Sequence, residues 1–117
     1  MGTLGIGAAA ERRAADFLKR AGLTLIARNY RSPFGEIDLI MRQDEVTVFV
    51  EVRSRARTDY GTPGESVDRR KQERLRATAE YYLQRDAEAS NRPCRFDIVA
   101  ITPSPEGERV EWLRNAF

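Results

Sequence analysis

Two neighbouring runs of this chain have the period of a β-strand, and each carries acid in its interior. Gly35 to Met41 reads GEIDLIM and Val46 to Arg53 reads VTVFVEVR. In the first, Ile37, Leu39 and Met41 alternate with Glu36, Asp38 and Ile40; in the second, Val46, Val48, Val50 and Val52 alternate with Thr47, Phe49, Glu51 and Arg53. Period two marks strands, and the polar break Gln43-Asp44-Glu45 predicts a hairpin between them. A hairpin buries one side only if its two apolar sets share a face, which fixes the parity of the register. Placing Gln43 opposite Val46 satisfies this, and residue numbers across the ladder then sum to 89. Asp38 comes to lie opposite Glu51, and Glu36 opposite Arg53. Carboxylates facing each other across a sheet repel, and a bound cation removes that cost, so the pair is a candidate metal site. The ordinary setting for a strand acid is a solvated polar face. Here Ile40 and Phe49 share that face, which predicts cover over part of it, and unpaired charge at the border of a packed face is costly.

Composition bounds the remaining possibilities. With 117 residues and 41% hydrophobic content, the chain predicts a single domain over 1–117 with one core. No apolar run approaches membrane-spanning length and no signal-peptide pattern opens the sequence, so the expectation is a cytoplasmic protein without a membrane partner. A single cysteine, Cys94, excludes an internal disulfide and suits a reducing compartment. The absence of histidine excludes histidine-based catalysis and, with one cysteine, argues against structural zinc. Net charge is only +2 but uneven: residues 53–85 hold nine basic and five acidic side chains, a surplus of four, which leaves the remainder acidic by two. Arg55, Arg57, Arg69, Arg70 and Lys71 lead that surplus, directly after the acid-bearing strand, as a phosphate-binding surface would. The pairs Arg69/Glu73 and Arg76/Glu80, at helical (i, i+4) spacing, fit a plain solvated helix equally well.

The organisation is simple, without repeats or linkers. Ile6, Ala10, Ala14, Phe17, Leu18 and Ala21 form a helical stripe ending before Gly22. Glu11 lies beside it, in the position of a rim charge paired with an arginine. Leu23 to Arg31 reads as a strand closed by Ser32-Pro33, and the two acid-bearing strands complete a meander. Arg57 to Gly64 is a Gly-, Thr- and Pro-rich loop, either a cover for a substrate or a long connector. Ser66 and Asp68 are candidate N-caps of a helix reaching about Gln84. Leu75, Thr78, Ala79 and Tyr82 form its stripe, its tyrosines read as core, and Lys71 at the N-terminal end is able to point toward the acids. Arg95 to Thr102, apolar on both faces, predicts a central strand beside a crossover helix, with Asp97 in it as a structural acid bonded to Arg95 or a loop amide. A last strand lies around Val110 to Leu113, and all five prolines fall outside the elements. The order is α-β-β-β-α-β-β: an α/β domain with a mixed five-stranded sheet flanked by two main helices.

GEIDLI followed by a strand ending in FVEVR resembles the core of the PD-(D/E)xK nuclease superfamily. More narrowly, the chain resembles the bacterial YraN family, predicted endonucleases similar to archaeal Holliday junction resolvases. The resemblance runs nearly end to end, through AERRAADFLKRAGL, RNYR, GEIDLI, FVEVRSR, GTPGESVDRRKQERL, RFDIVAI and the final NAF. Each piece is weak alone; together and in this order they are specific. The resemblance implies a restriction-endonuclease-like core with Asp38 and Glu51 as metal-binding acids and the Val52 carbonyl as a third ligand. It makes Glu11 the helix-borne acid of resolvase-like members. Arg53 stands where the superfamily usually has lysine, the one departure. Arginine stays protonated and presents a planar fork, so Arg53 suits charge stabilisation or a phosphate clamp and not a general base.

These residues predict a Mg2+- or Mn2+-dependent endonuclease acting on structured or branched DNA, with Glu11, Asp38, Glu51 and Arg53 as catalytic candidates. Arg31, Arg55, Lys71 and Arg74 are the candidates for phosphate contact. Resolvase-like relatives act as dimers because a four-way junction needs two cuts, so the resemblance also implies a homodimer. Two other readings stay open: a nucleic-acid-binding recombination or repair accessory with a weakened site, and a protein-interaction domain without nucleic acid.

Overall fold

The computed structural model describes residues 5–56 and 61–117, with side chains from residue 7 onward. The expected roles of Arg57 and of the Ile6 side chain lie outside these residues. Helix α1 (Gly5–Arg20) opens the chain, and Gly22 ends it with a φ of 102° that side-chain-bearing residues rarely adopt. The Gly22 amide donates to the Lys19 carbonyl and the Leu23 amide to the Leu18 carbonyl, each at 3.0 Å, the bond pair that closes a helix on a left-handed glycine. Leu18 and Leu23 then pack in one buried cluster.

Strands β1 (Thr24–Ser32), β2 (Gly35–Gln43) and β3 (Val46–Ser54) follow as an antiparallel meander. Helix α2 (Arg69–Arg85) carries the chain across to β4 (Cys94–Ser104), which runs parallel to β3. A parallel pair needs such a crossover, because a hairpin can join only antiparallel strands. One turn of helix, α3 (Ala87–Ser90), precedes β4, and β5 (Gly107–Leu113) closes the sheet in the order β1-β2-β3-β4-β5. The mixed five-stranded sheet and its element order are those expected from the sequence.

Two boundaries differ. Asp68 alone caps α2, its side chain accepting the Lys71 amide at 2.9 Å, while Ser66 sits in a short 3-10 turn, Gly64–Ser66. Pro103 lies inside β4, paired with Glu108 of β5. It is tolerated because Ile101 makes the last contact with the β3 side, accepting the Arg55 amide at 2.8 Å. Two residues on, proline's missing N–H faces the side β3 has already left.

Helices cover both faces of the sheet, so neither face is wholly solvated. Ala10, Ala14, Ala15 and Leu18 of α1 pack on Leu39, Met41, Val48, Val50, Val99 and Ile101. Leu75 and Ala79 of α2 pack on Ile40, Phe49, Phe96 and Ile98, so Ile40 and Phe49 are covered as expected. The expected alternation holds through Leu39 and then breaks. Ile37 packs with Ile40 in the α2-side cluster, three residues away, where strict alternation puts it with Leu39. Tyr30 and Ala27 of β1 join the same side at the same odd spacing. Between them Asn29 has φ of 49°, and the Asn29–Asp38 rung is missing from a ladder that has already shifted register by one residue between Leu25 and Ala27. Both strands turn over at that rung.

Candidate active site

The register expected for the hairpin is observed from Gln43↔Val46 to Leu39↔Val50, and there the two strands part. β2 stays with β1 as far as Gly35, whereas β3 stays with β4 as far as Ser54. Asp38 and Glu51 are thus the first residues beyond the last rung rather than a paired rung themselves. Asp38 reaches across the opening: its Oδ2 accepts the Val52 amide at 2.8 Å, a donor that a continued ladder gives to the Ile37 carbonyl. A strand residue that turns its N–H to one neighbour turns its C=O the same way, so the Val52 carbonyl also faces this opening.

Glu51 is buried, 4% exposed, and its charge is met by two cations. Its Oε2 lies 3.3 Å from Lys71 Nζ and 3.4 Å from Arg53 Nη1. Lys71 arrives from the first turn of α2, held there by the Asp68 cap on its own amide. A buried carboxylate without such partners is strongly destabilising. Asp38 has no cation within ion-pair distance among the described residues, and its carboxyl is pushed up to about 7. Burial is the largest cause and the charge of Glu51 the next, with the Val52 amide and Lys71 opposing.

Glu11 approaches from α1. Its Oε1 accepts Asn29 Nδ2 at 2.9 Å rather than pairing with an arginine. Burial pushes its carboxyl up, Asn29 opposes, and the neighbouring charges of Asp38 and Glu36 raise it further. Glu36 does not face Arg53: once β2 leaves β3, its cross-strand neighbour is Arg31 of β1, with 3.7 Å between the charged atoms.

A cleft of about 100 Å3, lined by Gly35, Glu36, Asp38, Lys71, Arg74 and Leu75, opens on the acids. Of the basic candidates, Lys71 and Arg74 reach this cleft. Arg31 stands 80% exposed at its edge through Glu36. Arg55 donates to the Gly61 carbonyl at 2.9 Å and lines a separate depression with Thr62, Thr102 and Arg109. Arg76 lies over the rings of Phe96 and Phe117 rather than paired with Glu80. Asp97 is structural as expected, accepting from Arg95, Trp112 Nε1 and the Asn115 amide.

One feature of the site escapes sequence reasoning: Asn29. Asn29 has a legible signal, since asparagine is depleted in strands and enriched at positive φ. Lys71, expected from its place at the N-terminal end of the helix to be able to point toward the acids, meets Glu51 of the pair.

Asp38, Glu51 and the Val52 carbonyl are hard oxygen donors, the kind Mg2+ takes while keeping several waters. Among the described residues no three carboxylate or cysteine side chains converge into a ready cluster. An ion at this opening would be held by two carboxylates and a carbonyl, with water completing its shell.

Residues 10–101 match the uncharacterised protein family UPF0102. A UPF0102 protein of Nitrosomonas europaea is 50% identical over 111 residues, 95% of this chain and 92% of that protein. One from Symbiobacterium thermophilum is 48% identical over 113 residues, 96% and 95% of the two chains, and one from Pseudomonas putida is 46% identical over 112, 95% and 91%. On this extent of similarity, the chain belongs to the uncharacterised protein family UPF0102.

Proposed function

We propose that this protein is a divalent-metal-dependent endonuclease of the PD-(D/E)xK kind, hydrolysing phosphodiester bonds in structured or branched DNA. The observation that carries the reading is the meeting of Asp38 and Glu51 where β2 and β3 separate. Burial, and next the charge of Glu51, raise the Asp38 carboxyl, and Lys71 and Arg53 both contact Glu51. Mg2+ or Mn2+, when bound, supplies Lewis acidity toward a phosphate oxygen and a water acidic enough to ionise near neutral pH. Asp38, Glu51 and the Val52 carbonyl hold the ion, and the Val52 amide orients Asp38. Arg53, always protonated, offsets the charge that develops on the phosphate. Lys71 takes the part of the lysine absent from position 53: it is a compact ammonium beside Glu51, able to orient the attacking water. Glu11, fixed by Asn29, adds a third acid at the rim. Arg31, Arg55 and Arg74 contact phosphates, and two copies act together if the junction is four-way.

A second reading, a DNA-binding accessory with a weakened site, is favoured by the pairing of Glu51, whose charge is met by both Lys71 and Arg53. Cleavage assays on linear, flapped and four-way DNA with Mg2+ and Mn2+ separate the two. The nuclease reading expects metal-dependent cuts that vanish in Asp38→Asn, because a neutral amide is a poor ligand for a hard divalent ion. Cuts undiminished in purified Asp38→Asn remove this site from the mechanism, and DNA binding without any cleavage leaves the accessory reading.

A further inference from the structure

Leading away from the acidic cleft, α2 carries a second pattern. Arg74, Thr78, Tyr81 and Arg85 succeed one another at spacings of four, three and four residues, which aligns them along one side of the helix. Thr78 is buried, and its hydroxyl lies 3.0 Å from that of Ser32 at the base of the β1–β2 turn. The same Ser32 oxygen accepts the Phe34 amide at 3.0 Å, so the turn is pinned against the helix. At its tip Phe34 stands 55% exposed and meets Tyr81 edge to face, with ring centroids 6.3 Å apart. The Arg85 guanidinium carbon lies 3.4 Å from the centroid of the Tyr81 ring, and Arg74 borders the cleft of Asp38.

One exposed phenylalanine is ordinary; its company is not. Cation, aromatic pair and cation follow each other over about 16 Å, at 1.5 Å per helical residue. The acids Glu73 and Glu80 project roughly 100° further round the helix from Arg74 and Tyr81, so no carboxylate of α2 interrupts the line. Nonspecific single-strand sites are built this way, from rings that accept any base face and cations that follow the phosphates. A duplex cannot use the rings, because its bases are already stacked on one another.

We infer that Phe34, Tyr81, Arg74 and Arg85 form a track for a few unpaired nucleotides adjoining the cleft, so that the preferred substrate carries a single-stranded segment beside the cut. This deepens the endonuclease reading and rests on it for the position of the cut, whereas the binding itself does not.

The test is fluorescence anisotropy in EDTA with a labelled oligo-dT, a blunt duplex and a 5′-flapped duplex, which measures binding apart from cleavage. The full chain should bind the single strand and the flap more tightly than the duplex. Phe34→Ala should weaken both by about tenfold or more, as loss of one stacked base implies, and leave the duplex within about twofold. Tyr81→Phe, which keeps the ring, should bind as the starting protein does. Equal losses on duplex and single strand, or no loss on either, overturn the track, as does a starting preference for duplex. An unchanged melting temperature in Phe34→Ala excludes misfolding as the cause. A protein that binds single strands through Phe34 and never cuts refutes the nuclease reading while keeping the track; cleavage with Phe34 irrelevant does the reverse.

Discussion

Asp38 keeps its proton to about pH 7 because burial strips water from the carboxylate and the charge of Glu51 opposes a second one. Its folded value lies above its ordinary 3.8. Between those values the native state therefore holds a proton that the unfolded chain has released. The sign follows: stability falls as pH rises from about 4 to about 7, with the full penalty present above 7. In EDTA, the melting temperature should drop across this window and drop less in Asp38→Asn, where only the smaller contribution of Glu11 remains; identical pH profiles in the two proteins rule out a raised Asp38. Added Mn2+ should restore the loss at pH 8 in the starting protein alone. A second prediction separates the two cations on Glu51. Lys71→Gln should lower cleavage on the order of a hundredfold, the usual effect of deleting one preorganised donor, and Arg53→Lys should retain it. If Lys71→Gln cuts at the normal rate while Arg53→Ala is dead, the roles assigned to the two side chains are reversed.

At the scale of elements, the site exists because a strand pair comes apart in register. β2 and β3 run together for five rungs, and the next residues on each strand are the two acids. The parting is prepared on the other side of β2, where Asn29 leaves the ladder at φ 49° and spends its side chain on Glu11. Non-glycine residues at such φ are strained, asparagine least. Asn29→Gly should therefore fold within about 1 kcal/mol of the starting protein while freeing Glu11. A β-branched Asn29→Val should destabilise by about 2 kcal/mol or more. Urea titrations of both variants check this, and equal stability of the two shows that the backbone there is not constrained. The start of α2 is the other contributing element: its Asp68 cap orients the turn from which Lys71 reaches Glu51.

For the molecule as a whole, the β4–β5 side of the sheet is tied by one buried acid. Asp97, fully buried, takes Arg95, the Trp112 indole and the Asn115 amide, joining β4 to β5 and to the residues after it. Asp97→Ala leaves Arg95 and two other donors without their acceptor, a change of about 3–5 kcal/mol for a broken buried pair. Trp112 is the chain's one tryptophan, so its emission reports the loss directly and should shift to the red as the indole gains water. An unaltered spectrum and an unfolding midpoint like that of the starting protein refute this role.

What the sequence determined by itself is local. Period two placed β2 and β3, parity and a short turn set their register, Gly22 stopped α1 and Asp68 started α2, because each depends on backbone geometry within a few residues. The acids of the site were legible for the same reason, as charges interrupting an apolar alternation. Where the ladder ends was not legible, since alternation says which face a side chain takes but not how long two strands remain bonded. The turnover at Asn29 and Asp38, the transfer of Glu36 to Arg31, the arrival of Lys71 at Glu51 and the placing of Phe34 against Tyr81 all join residues of different elements. Those contacts were decided by the packing of two helices on opposite faces of a twisted sheet, a balance of many weak apolar contacts that no single stretch of sequence contains.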